Sequence, residues 1–108
     1  HTVAPRWQAG ANRPEKMELF RRCHRASLES ANRAGAASMA FPCIGTGAFG
    51  WPPEVAADAA FEAIRDWIDD GNGAPERLSF VCPNPAFAAT YQQLCSEWVG
   101  EHLEGGTV

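Results

Sequence analysis

The stretch that decides the fold lies in the middle of the 108-residue sequence and reads Phe41-Pro42-Cys43-Ile44-Gly45-Thr46-Gly47-Ala48-Phe49-Gly50-Trp51-Pro52. A nearly continuous apolar run over residues 37–44 leads into it, and its short length favours a buried strand over a helix. Pro42 lies inside that run and has no N–H to donate, so we expect the backbone to leave the sheet ladder there. An alanine-rich amphipathic segment follows Pro53 and predicts a helix that ends near Gly71. The stretch therefore predicts a strand, a glycine-rich loop and a helix in direct succession.

Strands and helices alternate along the rest of the chain. Apolar residues recur every three or four positions in two further segments, which predicts helices, and another short apolar run predicts a strand. The predicted elements outside the central stretch are a strand tail over residues 1–4, a helix over residues 14–35, a buried strand over residues 78–82 and a helix over residues 87–99. Such alternation is typical of an α/β fold with largely parallel strands, and the length fits part or all of a single domain over residues 1–108.

The overall composition is that of a soluble globular protein and argues against nucleic acid as a partner. Hydrophobic residues make up 45% of the chain and charged residues 20%, and the formal net charge is -4. A nucleic-acid binder presents a basic face, which this charge balance does not favour. Six of the nine basic residues lie on or beside the first predicted helix, where interleaved glutamates favour a solvated face over a phosphate-binding strip. No run approaches the roughly 18 apolar residues of a membrane helix, so no membrane partner is predicted.

The cysteines and histidines are scattered through the sequence. No Cys-x-x-Cys pair occurs among Cys23, Cys43, Cys82 and Cys95, and each lies in an apolar stretch. This distribution predicts buried free thiols rather than a disulfide framework, and with them a cytoplasmic location. The ligand spacing of a zinc site is missing as well, so no metal is predicted.

Residues 45–50 carry the chemistry. A glycine-rich loop between a strand and a helix turns several backbone N–H groups toward one spot beside a helix N-terminus, which suits a phosphate group. The alternative is a tight turn that only lets strand and helix pack. The loop also matches Gly-x-Gly-x-x-Gly, but residues 51–53 delay the helix, and Asp69 and Asp70 lie on a helix end rather than after a second strand. A Walker loop is excluded, because no Lys-Ser or Lys-Thr follows the glycines.

The longer pattern from Phe41 to Pro52 resembles the second ligand loop of macrodomains, which runs apolar-Pro-x-Ile-[Ser/Gly]-Thr-Gly-x-aromatic-Gly-aromatic-Pro. Residues 1–7, 19–35 and 77–84 are similar in order and spacing to further parts of that family, although Ala4 stands where glycine is usual. The resemblance implies a three-layer α/β/α fold with a mixed sheet. This chain would supply the C-terminal part of one macrodomain, with about three strands and three helices, and the N-terminal strands would be missing from it.

The resemblance also implies a ligand and its contacts. The ligand-binding residues that it implies are Gly45, Thr46, Gly47, Ala48, Phe49, Gly50, Cys82, Pro83 and Asn84. Backbone amides of residues 45–49 would wrap the diphosphate of ADP-ribose, Phe49 would lie against the distal ribose, and residues 82–84 would approach the adenine. Trp51 is expected to pack the loop rather than to touch the ligand. No cofactor is implied, and the family's catalytic loop is not found in these residues, so no catalytic residue is assigned.

Several functions follow from this resemblance and stay open. The first is ADP-ribose binding with hydrolysis of mono-ADP-ribosyl esters or O-acetyl-ADP-ribose, and the second is a non-catalytic ADP-ribose reader. A fragment of a dinucleotide-binding oxidoreductase and a purely structural subunit are alternatives from other classes. In the family, an early strand separates the strands that correspond to residues 1–4 and 37–44. We therefore expect a second polypeptide or an N-terminal fragment to complete the sheet.

Overall fold

Helices and strands alternate along the chain as the sequence predicts. The computed structural model describes residues 1–7, 13–47 and 49–101. Its elements, in chain order, are α1 (Arg13–Arg33), β1 (Ser38–Pro42), α2 (Pro53–Asp69), β2 (Arg77–Val81) and α3 (Pro85–Glu101). The predicted central strand, loop and helix are thus confirmed, and β1 ends at Pro42, the residue expected to end its ladder.

The two strands run parallel and side by side, and α2 makes the crossover between them. Their register places Phe41 opposite Phe80 and Pro42 opposite Val81. The rings of Phe41 and Phe80 are stacked with centroids 5.4 Å apart, and both side chains are buried. Because side chains alternate between faces along a strand, this pair fixes which face of the sheet meets the helices.

Helix α2 lies at the centre of the core. It packs against α1 on one side and α3 on the other. The contact surfaces of α2 are rich in short side chains, because five of its alanines are buried: Ala56, Ala57, Ala59, Ala60 and Ala63. Short side chains let neighbouring helices approach closely. Phe61 of α2 then reaches across to Phe80 and Tyr91, which joins the sheet, α2 and α3 in one apolar cluster.

Residues 1–4, predicted as the tail of a strand, form no strand in the structure. The segment instead follows α1, where Cys23 Sγ donates a hydrogen bond to the Val3 carbonyl oxygen at 3.4 Å. A strand requires a ladder partner, and an open groove of about 440 Å³ separates this segment from Met39 of β1. The described residues therefore contain two strands rather than about three.

The two strands are buried on one face only, whereas the sequence predicts strands buried on both faces. Phe41 and Phe80 are enclosed, but Ala40, Val81 and Ser38 point the other way and are exposed. Val81 keeps 59% of its surface accessible. The physical reason is that no described element covers this opposite face. Only every second side chain along each strand points toward the helices and is buried.

His24 of α1 is fully buried between two aromatic rings. Its ring lies 5.1 Å from that of Phe20 and 5.4 Å from that of Phe41, measured between centroids. Its Nδ1–H donates to the Phe20 carbonyl oxygen at 3.2 Å, and its Nε2 has no hydrogen-bond partner among the described residues. Burial lowers the pKa of His24 to about 4, which outweighs the opposing effect of that hydrogen bond. The folded protein therefore holds His24 neutral.

This burial predicts a pH-dependent loss of stability. Unfolded His24 takes up a proton below its ordinary pKa of 6.5, whereas folded His24 does so only near pH 4. The free energy of unfolding should therefore fall as the pH drops from 6.5 to 4, by on the order of 3 kcal/mol in total. Urea unfolding of the native protein and of His24→Leu at pH 7.0, 5.5 and 4.5 measures this, since the variant lacks the proton-binding group. Identical pH dependence in the two proteins would contradict the assignment.

Candidate functional site

The glycine-rich loop after β1 is closed by its own hydrogen bonds. Thr46 donates to the Cys43 carbonyl oxygen twice, from its Oγ1 at 2.7 Å and from its backbone N–H at 3.2 Å. The Gly50 N–H donates to the Gly47 oxygen at 3.0 Å, and the Trp51 N–H donates to the Gly45 oxygen at 2.9 Å. The loop is therefore a pair of fused turns with a defined shape.

Glycine is required at position 45 for two separate reasons. Its φ is +82°, in the left-handed region that side chains disfavour. A Cβ placed there would lie 2.8 Å from Trp51 Cδ1 and 3.0 Å from Phe20 Cε1. Gly47 differs in both respects, because its φ lies outside that region and a Cβ there would meet nothing within 4 Å.

Trp51 anchors the loop to the rest of the molecule, as the sequence predicts. Its side chain is almost fully buried, and its ring centroid lies 3.9 Å from that of Phe20. Its Nε1–H donates to the Pro5 carbonyl oxygen at 2.7 Å, and the Trp7 N–H donates to the Phe49 oxygen at 2.8 Å. One side of the loop is thereby fixed against α1 and the N-terminal segment.

Backbone donors remain available on the loop. Within the part of the chain that the structure describes, the N–H groups of Gly45, Gly47 and Phe49 donate to no protein atom. Pro52 and Pro53 have no N–H, so the first turn of α2 adds no donor from those two positions. The donors that could meet an anion here come from the loop itself.

A cavity of about 490 Å³ opens where β1 and β2 end. Its walls are the last residues of the two strands, the start of the loop and the turn that leads into α3. The lining residues are Ala40, Phe41, Pro42, Cys43, Thr46, Gly47, Val81, Cys82, Pro83, Asn84 and Phe87. This position, beyond the carboxyl ends of parallel strands, is where open α/β sheets bind ligands, and the volume is within the range of small-molecule sites.

The structure brings together some of the residues predicted for the site and separates others. Five of them line the cavity: Thr46, Gly47, Cys82, Pro83 and Asn84. Gly45 faces Trp51, Phe49 packs at the edge of the Phe20–Trp51 cluster, and Gly50 is exposed. Ala48 lies outside the described residues. Their roles toward a ligand stay predictions.

Ala40, Pro42 and Val81 line the cavity without having been predicted. They occupy the outward positions of two strands whose side chains alternate, and Pro42 lies in the register position opposite Val81. Counting back in steps of two from the strand ends would have identified them. Asn84 has a second role, since its Oδ1 accepts hydrogen bonds from the N–H groups of Ala86 at 2.9 Å and Phe87 at 3.4 Å and so caps α3.

The prediction of free thiols is wrong for two of the four cysteines. Cys43 and Cys82 form a disulfide, with Cα atoms 5.9 Å apart. They follow directly after Pro42 and Val81, which are paired across the sheet, so the parallel register places them side by side. A separation of 39 residues along the chain hides this proximity. Cys23 and Cys95 are free and buried, as predicted.

Two of the basic residues of α1, Arg21 and Arg25, are paired with acidic side chains. Arg21 contacts Glu18 at 3.2 Å and Glu62 at 3.7 Å, and Arg25 contacts Glu29 and Asp70. These pairs satisfy the guanidinium groups within the protein, which favours the solvated face over a phosphate-binding strip. Among the described residues no group of three or more His, Cys, Asp or Glu side chains is placed to hold a metal ion. No described helix has the length and apolar character needed to cross a membrane.

The contrast between Gly45 and Gly47 generates a matched pair of stability predictions. Gly45→Ala should lower the free energy of unfolding by about 1–3 kcal/mol, because the new methyl group meets Trp51 in a left-handed backbone conformation. Gly47→Ala should change it by less than about 0.5 kcal/mol, since its Cβ enters open space. Urea unfolding at pH 7 with both variants measures the difference. Equal effects of the two substitutions would show that the loop does not rest on Trp51 as described.

Comparison with known proteins agrees with this architecture. The model of the Macro domain family matches residues 1–60. A macro domain-containing protein of Ralstonia nicotianae is 36% identical over 98 residues, which covers 90% of this chain and 53% of that protein. An O-acetyl-ADP-ribose deacetylase of Cronobacter turicensis is 36% identical over 98 residues, with coverage of 91% and 54%. The chain thus spans about half the length of the curated relatives it matches.

Solved structures give the same result for the fold. The Oceanobacillus iheyensis macrodomain with ADP superposes with a TM-score of 0.81 at 26% identity, covering 94% of this chain and 51% of that chain. The Trypanosoma brucei macrodomain in complex with ADP-ribose has a TM-score of 0.66 at 26% identity, with coverage of 72% and 34%. The macrodomain-like α/β architecture predicted from the loop pattern is confirmed.

Proposed function

This chain belongs to the macro domain family, and on that premise we propose that it binds ADP-ribose at the cavity between the glycine-rich loop and the start of α3. The observation that carries the proposal is the set of unengaged loop N–H groups, on Gly45, Gly47 and Phe49, in a loop whose residues Thr46 and Gly47 line a cavity at the strand ends. Backbone N–H groups in a tight loop suit the oxygens of a diphosphate. The relatives whose structures contain ADP or ADP-ribose support the choice of ligand.

The chemistry of the cavity fits a nucleotide better than a free anion. None of its lining residues is charged, so the negative charge would be met by loop dipoles rather than by Lys or Arg. Val81, Pro83 and Phe87 supply an apolar wall that a flat base or a sugar face can pack against. The residues that we propose to meet the diphosphate are those predicted from the sequence, residues 45–49. Residues 82–84 would meet the adenine side.

Hydrolysis of O-acetyl-ADP-ribose or of mono-ADP-ribosyl esters is a second candidate function, supported by the relatives named O-acetyl-ADP-ribose deacetylase. The described lining contains no carboxylate, imidazole or amine, and its two cysteines are joined in a disulfide, so in this form it offers no general acid or base for the reaction. We therefore propose that this chain contributes binding and orientation, and that any hydrolytic group comes from another segment. Without such a segment the chain would act as a reader of ADP-ribose.

We further propose that additional strands, from an N-terminal segment or a second polypeptide, cover the open sheet. In the described structure β1 and β2 pair only with each other, which leaves an outer edge on each strand, and two-stranded sheets are marginal in water. Val81 is largely exposed at one edge, and Met39 lines the groove between β1 and residues 1–4. A strand lying in that groove would pair with β1 and cover Met39.

We also propose the cytoplasmic location predicted from the sequence. The free thiols of Cys23 and Cys95 are consistent with it.

Titration calorimetry with a matched pair of glycine variants tests the binding site. ADP-ribose should bind the native protein with a dissociation constant on the order of micromolar, and NAD and AMP should bind more weakly. Gly47→Leu should weaken ADP-ribose at least about tenfold, because its side chain would occupy the space in front of the loop amides. Gly73→Leu is the control, since Gly73 is also exposed, has equally open space at its Cβ and lies outside the cavity. Unchanged affinity in folded Gly47→Leu would contradict a phosphate site on this loop, and a preference for NAD would favour the oxidoreductase alternative.

Adding the proposed strands in trans separates an incomplete site from a wrong one. The titration is repeated with the part of the Cronobacter turicensis relative that precedes its matched region. If the sheet needs completion, ADP-ribose affinity should rise when that segment is present. Affinity that is the same with and without it would contradict the need for additional strands, and absence of binding in both samples would contradict the proposed ligand.

A further inference from the structure

Cys43 and Cys82 directly follow the last residues of β1 and β2, and both line the cavity. Cys43 lies two residues before Gly45 of the glycine-rich loop, and its carbonyl oxygen accepts both hydrogen bonds from Thr46. Cys82 is followed by Pro83 and Asn84, which lead into α3. The Cα atoms of the two cysteines are 5.9 Å apart, within the range that a disulfide spans, and the structure pairs them. One covalent bond therefore ties the loop side of the cavity to the α3 side.

We propose that Cys43 and Cys82 form a thiol–disulfide exchange site that controls the affinity of the cavity for its ligand. The existence of the exchange site depends only on the two cysteines and their surroundings. Its control over affinity also rests on the proposed ADP-ribose function.

The four cysteines differ in accessibility in the way that this proposal requires. Cys43 and Cys82 are half-buried and line the cavity, so a small reagent can reach them through its opening. Cys23 is 8% exposed and donates to the Val3 carbonyl oxygen. Cys95 is 6% exposed, and burial raises the pKa of its thiol, which keeps it protonated and unreactive. Cys43 and Cys82 are the two cysteines that are both half-buried and adjacent, so we expect the intramolecular bond to form between them.

The exchange needs a disulfide oxidant, such as glutathione disulfide, and is balanced as follows. The thiolate of one protein cysteine attacks a sulfur of the oxidant, which forms a mixed disulfide and releases one small thiolate. The thiolate of the second protein cysteine then attacks the protein sulfur of that mixed disulfide and releases the other small thiolate. Two protein thiols are oxidised to one disulfide, one small disulfide is reduced to two thiols, and the two protons pass to the departing thiolates.

The bond acts on affinity through the loop. In the disulfide form the turn that begins at the Cys43 carbonyl is linked to the turn before α3, so both walls are held in the arrangement described here. Reduction leaves the loop anchored through Trp51 and through the bond from the Trp7 N–H to the Phe49 oxygen. A ligand that binds the reduced form must then order the loop, which lowers affinity. We expect ADP-ribose to bind the oxidised form about three- to tenfold more tightly than the reduced form.

Thiol counting by mass spectrometry tests the exchange site directly. The native protein is equilibrated with reduced or oxidised glutathione, unfolded, alkylated and weighed. Oxidation should remove two of the four alkylatable thiols in a single intramolecular bond. Cys43→Ser and Cys82→Ser should each abolish that bond, while Cys95→Ala, the buried control, should retain it. Formation of the intramolecular bond in Cys43→Ser, or its absence in the native protein, would overturn the exchange site.

Calorimetry on the same samples tests the coupling to ligand. A ratio of about threefold or more between the ADP-ribose dissociation constants of reduced and oxidised native protein, absent in Cys43→Ser, supports it. Equal affinities in a protein whose disulfide forms would overturn the control of affinity while leaving the ADP-ribose site intact. No ADP-ribose binding in either state would overturn both the coupling and the proposed function, while the mass measurement still decides the exchange site.

Discussion

The contact between Gly45 and Trp51 is the constraint on which the site depends. Trp51 fills the space beneath the loop, with its ring against Phe20 and its Nε1–H donating to the Pro5 carbonyl oxygen. The backbone of residue 45 can rest on that ring only without a side chain, and its φ of +82° is one that glycine adopts readily. Glycine at position 45 therefore serves close packing rather than flexibility, and the shape of the loop follows from the buried indole of Trp51.

This arrangement gives the loop two sides with different roles. The side facing Phe20 and the N-terminal segment is packed and hydrogen-bonded, and includes the bond from the Trp7 N–H to the Phe49 oxygen. The other side borders the cavity, where Thr46 and Gly47 meet the turn before α3. Because one side of the loop is anchored, the N–H groups on the other side are held in place. A diphosphate site requires such a preformed array of donors. The disulfide between Cys43 and Cys82 joins this open side to the rest of the fold.

Features set by local sequence could be predicted, and features set by distant neighbours could not. Pro42 ends β1 because proline lacks an N–H, and the glycine-rich loop follows from residue types within a few positions. The pairing of Cys43 with Cys82 depends on the register of two strands that are 39 residues apart in the chain, which composition and spacing do not reveal. Residues 1–4 have the composition of a strand, but a strand also needs a partner, and the described structure offers none beside them. Of the predicted site, Thr46, Gly47 and residues 82–84 meet at one cavity, whereas the sequence could not show that Gly45 faces Trp51 instead.

The central claim is that the loop amides meet the ligand, and backbone amide chemical shifts test it residue by residue. A ¹⁵N-labelled sample is titrated with ADP-ribose, and the change in shift is mapped onto the chain. We expect the largest changes at Gly45, Gly47 and Phe49, with smaller ones at Cys82 and Asn84, because these amides border the cavity or lack a protein partner. If the largest shift changes lay along the groove between Val3 and Leu19 of α1, and the shifts of the loop amides stayed constant, a binding site at the loop would be contradicted.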